Sequence, residues 1–186
     1  AGAGMAVAKH GNRAVSSKSG SADVLEELGV NIMLSPAEVQ RCVEQIGIGF
    51  MFARTFHKTM KNAGKVRGDL NIRTVFNILG PLSNPSGASH QVIGVFDPAL
   101  TSPLAHAMCK MGVTRGMVIA GVDNGMDELS TFGKTAVSEI RGGSVFGYFL
   151  SPEQFGIPRA SAADLLGGGA RENAAATLDI LPGAQG

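Results

Sequence analysis

The sequence predicts an α/β protein: an open, mostly parallel sheet with helices on both faces. Three observations carry that expectation. Strand-like and helix-like segments alternate along the chain, the pattern of parallel strands joined by crossovers. Residues 116–122 are apolar at every position, as a strand covered on both faces requires. The chain of 186 residues has 26 glycines, one tyrosine and no tryptophan, which suits tight loops between buried elements better than an aromatic binding surface.

Residues 5–8 read as a short buried strand, ending at the polar group 9–13. A small polar loop follows over 15–21. Ser21 is expected to cap a helix over 22–28, with Val24, Leu25 and Leu28 on one face and Gly29 past its end. Ser35-Pro36-Ala37-Glu38 joins a capping box to a proline at the first helical position, and Val39, Cys42, Val43 and Ile46 recur behind it at helical spacing. Residues 47–53 are apolar but interrupted by glycine, and 54–67 turn basic. A helix over 71–79 is expected to break at Gly80-Pro81. A strand over 91–96 leads to Thr101-Ser102-Pro103, which should cap a helix carrying Leu104, Ala107, Met108 and Met111 on one face. The strand 116–122 then opens into an acidic loop, 123–130. Segments 135–140 and 144–150 form an expected hairpin around Arg141-Gly142-Gly143, and 172–181 a last helix. The expectation is a single α/β domain over 1–186, continuing upstream of Ala1, because domains seldom open on a buried strand.

Composition narrows the function classes. With 44% hydrophobic and 17% charged residues the chain can bury a core, so disorder is excluded. A net charge of +1 supplies no bulk attraction to nucleic acid or to a membrane surface, and neither partner is expected. The apolar run 46–53 is far too short to span a bilayer, and no secretion signal is read at the start. Cys42 and Cys109 are isolated among apolar residues, which reads as two reduced core thiols and a cytoplasmic location.

Three constellations carry chemistry. Lys9-His10-Gly11-Asn12-Arg13, with Ser16-Ser17-Lys18-Ser19-Gly20-Ser21, brings cations, hydroxyls and glycines to a strand-to-helix turn. Backbone N–H groups and a helix start there favour a phosphate, against the alternative of a solvated loop with a good cap. No Walker or dinucleotide glycine pattern occurs. Asp127-Glu128, preceded by Asp123, sit after an apolar strand; they are either solvated or ligands of Mg²⁺, which takes one or two carboxylates beside substrate phosphate. Arg67, with His57 and Gly80-Pro81-Leu82, can pair with a carboxylate, or belong to a basic surface run.

Several blocks occur in a telling order. They are Lys9-His10-Gly11-Asn12-Arg13, the stretch from Ser16 to Glu26, the stretch from Asn71 to Pro85, then Gly125-Met126-Asp127-Glu128-Leu129-Ser130 and Arg171-Glu172-Asn173-Ala174. Together they resemble the signature blocks of the anthranilate phosphoribosyltransferases, over nearly the whole chain. The resemblance implies the C-terminal α/β domain of that nucleoside phosphorylase/phosphoribosyltransferase-like fold. It implies transfer of a phosphoribosyl group from phosphoribosyl pyrophosphate to anthranilate in tryptophan biosynthesis, with Mg²⁺ as cofactor and a homodimer as the intact protein. By position, Lys9, His10, Gly11, Asn12, Arg13, Ala14, Val15, Ser16, Ser17 and Ser21 would contact phosphoribosyl pyrophosphate. Asn12, Arg67, His10, His57 and Gly80 would serve anthranilate, and Asp127 and Glu128 would bind the metal. No obligatory acid or base is implied, since the aromatic amine is already nucleophilic.

The family's N-terminal helical domain and its Gly-Thr-Gly-Gly-Asp pyrophosphate loop have no counterpart here, so the chain alone is expected to turn over slowly. A pyrimidine nucleoside phosphorylase shares the architecture and a Lys-His-Ser motif; Gly11 and the Gly-Pro-Leu-Ser-Asn-Pro block speak against it. A non-catalytic, nucleic-acid-binding relative would show an enlarged basic surface, which the balanced charge opposes.

Overall fold

The computed structural model describes residues 1–14, 18–57, 76–123 and 125–181, the side chains of Phe76 and Asn77 excepted. Two compact units make up the chain: residues 1–74 with 167–186, and residues 75–166.

In the first unit, β1 (Val7–Gly11) pairs in parallel with β2 (Ile48–Phe52), Lys9 opposite Phe50 and Gly11 opposite Phe52. β1 therefore starts later than the apolar run suggested, and its pairing carries Lys9, His10 and Gly11 into the strand. Alternation sends Phe50 and Phe52 to one face and Gly49 and Met51 to the other. α1 (Ser21–Glu27) covers the first face, where Ala22, Ile32 and Phe52 are buried with Leu25 and Phe50 against them. α2 (Pro36–Ile46) covers the second so closely that a Cβ on Gly49 would meet Val39 and Val43 at 2.9 and 2.7 Å. Helices on both faces of this sheet are thus explained by one glycine and two aromatic rings. The glycine also hid β2 in the sequence, where 47–53 showed no clean alternation.

The capping box of α2 forms as the sequence dictates: Ser35 N–H donates to Glu38 Oε2 at 2.8 Å, and Glu38 N–H to Ser35 Oγ at 3.4 Å. The cap of α1 differs from expectation. Gly20 occupies it, with its N–H held by the Asp23 carboxylate, and Ser21 is the first helical residue. α3 (Ala53–Phe56) is a single turn after β2.

In the second unit, α4 (Phe76–Leu82) runs through Gly80-Pro81, where a break was expected; residues 71–75 lie outside the described residues. Proline removes only one amide donor. The turn closes on the Gly80 carbonyl, which accepts from Ser83 N–H at 3.1 Å and Ser83 Oγ at 2.8 Å. Next, β3 (His90–Gly94), α5 (Thr101–Lys110) and β4 (Arg115–Gly121) form a crossover with parallel pairing. β5 (Thr135–Arg141) and β6 (Ser144–Leu150) add the expected hairpin antiparallel to β4, giving the order β3-β4-β5-β6.

A short 3₁₀ turn, Pro98–Leu100, precedes α5, so Thr101 lies inside the helix and does not cap it. Its hydroxyl donates to the Pro98 carbonyl at 2.9 Å and accepts from Ser138 Oγ at 3.0 Å, which satisfies two buried polar side chains. Ile93, Leu104, Met108, Val118 and Ile140 form the core between α5 and the sheet, with Cys109 packed beside it. Met108 and Ile140 are 1% and 0% exposed, and burial of each is worth about 2 kcal/mol. Cys42 and Cys109 are free thiols, both half-buried.

The chain then returns to the first unit as α6 (Ala170–Ile180), which begins two residues before the expected start and packs on α1.

Candidate functional site

The first candidate region lies where β1 ends and the chain turns into α1. A Cβ on Gly11 would meet Phe50 Cε2 and Ser21 Oγ, each at 2.9 Å. Strand, neighbouring ring and first helical residue therefore converge on Gly11, where a side chain would oblige the ring and the serine hydroxyl to shift. Gly20 is tighter still, since a Cβ there would lie 2.6 Å from the Ala14 nitrogen.

One carboxylate organises this turn. Asp23 Oδ2 accepts from the N–H groups of Ala14 and Gly20, both at 2.8 Å, so it ties the outgoing flank to the returning one. Those two donors, with Arg13 beside them, hold the Asp23 carboxyl below the usual carboxylate range. Arg13 clasps Glu26 through both terminal nitrogens and lies over the Phe52 ring, 5.7 Å from its centre. The guanidinium and two of the amides read as phosphate donors are thus engaged within the protein. Lys9 and Asn12 are exposed; Asn12 Oδ1 accepts from Arg13 N–H at 2.9 Å. Val15, Ser16, Ser17 and Arg67 lie outside the described residues.

His10 and His57 come together in the same unit. Their rings meet edge to face, centroids 5.0 Å apart and planes at 78°. The Nε2 atoms of both, and Thr55 Oγ1, are buried with no hydrogen-bond partner among the described residues. Burial, with His57 alongside, pushes the His10 imidazole below its ordinary range. A neutral imidazole offers one donor and one acceptor, and buried polar atoms without partners gain most from a polar ligand.

The second region is the loop after β4. A Cβ on Gly94 would fall inside the Asp127 carbonyl group, so the loop backbone lies directly on the end of β3. Gly121 N–H donates to the Met126 carbonyl at 2.6 Å, and Gly125, at φ 62°, makes the turn between them. Asp123 turns away to the neighbouring backbone, where Lys134 N–H donates to its Oδ2 at 3.4 Å. Asp127 and Glu128 are both exposed. No group of three or more His, Cys, Asp or Glu that could hold a metal occurs among the described residues. Two adjacent carboxylates fit Mg²⁺, which keeps several waters and takes phosphate oxygens, and do not fit a closed zinc cage. Gly80 belongs to this unit, half-buried in α4.

Residues 1–186 match the a/b domain of the glycosyl transferase family. The chain belongs to that family. Among curated relatives it is 56% identical over 183 residues to an anthranilate phosphoribosyltransferase of Acetivibrio thermocellus, covering 98% of this chain and 53% of that protein. Among solved structures it is similar to anthranilate phosphoribosyltransferase from Thermus thermophilus, with a TM-score of 0.89 and 48% identity, over 98% of this chain and 54% of the other. The enzyme from Saccharomyces cerevisiae in complex with PRPP and Mg matches with a TM-score of 0.84 and 29% identity, over 97% of this chain and 48% of that one. The chain thus spans about half the length of the relatives it matches. No helix among the described residues is long and apolar enough to cross a membrane.

Sequence reasoning misses Asp23, Phe50 and Gly94. Asp23 had a signal: a carboxylate three residues after the cap reaches back to the cap's own amide. Gly94 had a weaker one, a glycine inside a strand where another backbone comes close. Phe50 had none, because only the pairing with β1 brings it to Gly11.

Proposed function

We propose that this chain is the α/β part of an enzyme that transfers the phosphoribosyl group of phosphoribosyl pyrophosphate to anthranilate, releasing pyrophosphate. The observation that carries the reading is the half-buried His10–His57 pair, whose two buried Nε2 atoms have no hydrogen-bond partner among the described residues. A small aromatic amine bearing a carboxylate supplies both an acceptor and a donor to such a pair. The likeness to a protein whose structure holds PRPP and Mg supports the other substrate.

In this reading Lys9, His10, Gly11, Asn12, Arg13, Ala14, Val15, Ser16, Ser17 and Ser21 contact phosphoribosyl pyrophosphate. Arg67 is assigned to the anthranilate carboxylate, and His10, His57, Asn12 and Gly80 are assigned to the same substrate by the family resemblance. Asp127 and Glu128 would hold Mg²⁺, which when bound stabilises negative charge on the leaving pyrophosphate. The amine needs no strong base, so the residues bind and orient; proximity supplies much of the acceleration. Gly11, where a pyrimidine phosphorylase motif has serine, and the Gly-Pro-Leu-Ser-Asn-Pro block favour this reading over that enzyme. The same reading carries a homodimer and a cytoplasmic location for the protein at its full natural length, with no nucleic-acid partner.

The test is loss of anthranilate fluorescence with phosphoribosyl pyrophosphate and Mg²⁺, using the protein at its full natural length. Consumption with pyrophosphate release is expected, and no consumption overturns the reading. Arg67→Ala should raise the KM for anthranilate far more than that for phosphoribosyl pyrophosphate; equal effects would move Arg67 out of the acceptor pocket.

A further inference from the structure

Resting on that reading, we infer that Asn173 of α6 is a positioning residue of the phosphoribosyl pyrophosphate turn, acting through Ser19. Asn173 Nδ2 donates to Ser19 Oγ and to the Gly168 carbonyl, both at 3.1 Å, and its Oδ1 accepts from Gly168 N–H at 2.9 Å. One amide thus holds both backbone groups of Gly168 and a hydroxyl of the turn. The task needs a donor and an acceptor on one short side chain, which asparagine has, aspartate lacks when ionised, and alanine lacks altogether.

The surroundings fix that amide. A Cβ on Gly167 would meet Asn173 Oδ1 at 3.1 Å, so the backbone passes against it. Ala174, 5% exposed, anchors the same turn of α6. The Asn173 carbonyl accepts from Thr177 Oγ1 at 2.8 Å, which ties the residue into its own helix. Ser19 directly precedes Gly20, whose N–H is held by Asp23 at 2.8 Å. The returning flank of the turn is therefore held by Asp23 on its backbone and by Asn173 on its side chain. Ser21, assigned to the substrate, follows two residues on. A turn already ordered before binding loses less entropy when the anion arrives, so the grip acts on substrate affinity.

The experiment compares wild type, Asn173→Ala, Ser19→Ala and the double variant in the protein at its full natural length. The KM for phosphoribosyl pyrophosphate is expected to rise about fivefold in each single variant. The KM for anthranilate should stay within about twofold, and the double variant should add little to either single change. A merely structural role would instead shift both KM values together, and that result, or no shift, overturns the inference. Ser19→Ala removes one hydroxyl and keeps the test open if Asn173→Ala fails to fold. Amide hydrogen exchange at Ser19 and Gly20 without substrate is a second readout: it should quicken in Asn173→Ala, and unchanged exchange overturns the positioning role. Wild type that consumes no anthranilate sinks the transferase reading alone, and exchange then judges Asn173 separately.

Discussion

The turn after β1 and the loop after β4 both leave the carboxyl end of a parallel strand, yet they are held in opposite ways. Side chains hold the first: Asp23 grips the amides of Ala14 and Gly20, and Asn173 grips Ser19. Backbone holds the middle of the second, where the Asp127 carbonyl lies on Gly94 and Met126 accepts from Gly121 N–H; the Asp123 side chain serves only its flank. A clamp of side chains loosens one bond at a time. A backbone laid on a glycine has no intermediate setting, because an added Cβ collides with atoms that cannot rotate away.

The sharpest way to break this comparison is Gly94→Ala. It should cost about 3 kcal/mol of stability, read as a fall in urea midpoint, since strand or loop must move to admit the methyl group. A midpoint close to wild type would show the second loop to be as adjustable as the first.

Next in size is the chemistry the moulded loop presents. Asp127→Asn with Glu128→Gln should raise the Mg²⁺ concentration for half-maximal rate by about tenfold or more, in the protein at its full natural length. Stability should hold, because both side chains are exposed. An unchanged Mg²⁺ titration would remove the pair from the site.

A clamp of side chains should give smaller losses. Asp23→Asn weakens two charge-assisted hydrogen bonds and should lower the thermal midpoint by about 3–6 °C. The lowered carboxyl pKa fixes the sign of its pH dependence: the stabilisation is complete above the ordinary value of about 3.9 and is lost as pH falls through the lowered one. Wild type should therefore lose stability in acid more steeply than Asp23→Asn; parallel acid limbs would show that the clamp carries no net charge effect.

The smallest effect belongs to His10. Burial lowers its pKa, so its contribution is present above about 6.5 and is lost as pH falls toward the lowered value. His10→Gln should flatten the decline of the thermal midpoint below about pH 6.5 by about 1–2 °C. Identical slopes would mean that the imidazole is solvated in the folded state.

Local signals in the sequence read well where the structure they specify is local. Ser35-Pro36-Ala37-Glu38 opens α2 as its hydrogen-bonding groups require, and Arg141-Gly142-Gly143 joins β5 to β6. Both outcomes depend on atoms within a few residues. The misreadings depend on distant neighbours: β2 lost its alternation to Gly49, which exists for α2, and α4 passed through Pro81 because Ser83 closes its last turn. The site divides the same way. The residue types for phosphate, carboxylate and metal stood in plain view. That Asp23 and Glu26 engage the amides and guanidinium beside them did not, because spacing along a helix does not say which partner wins a charge.

The Ser19–Asn173 hydrogen bond joins residues 154 positions apart, and the first unit is assembled from 1–74 and 167–186. The second unit, 75–166, is one uninterrupted stretch. As the chain leaves a ribosome, the second unit is complete before the first, whose β1, β2 and α1 wait for α6. Closing so long a loop is slow, and it follows local folding. A nascent chain halted before residue 167 carries the Asp23 clamp but lacks the grip on Ser19. The first unit, which holds the earliest strand described, is thus completed after the second.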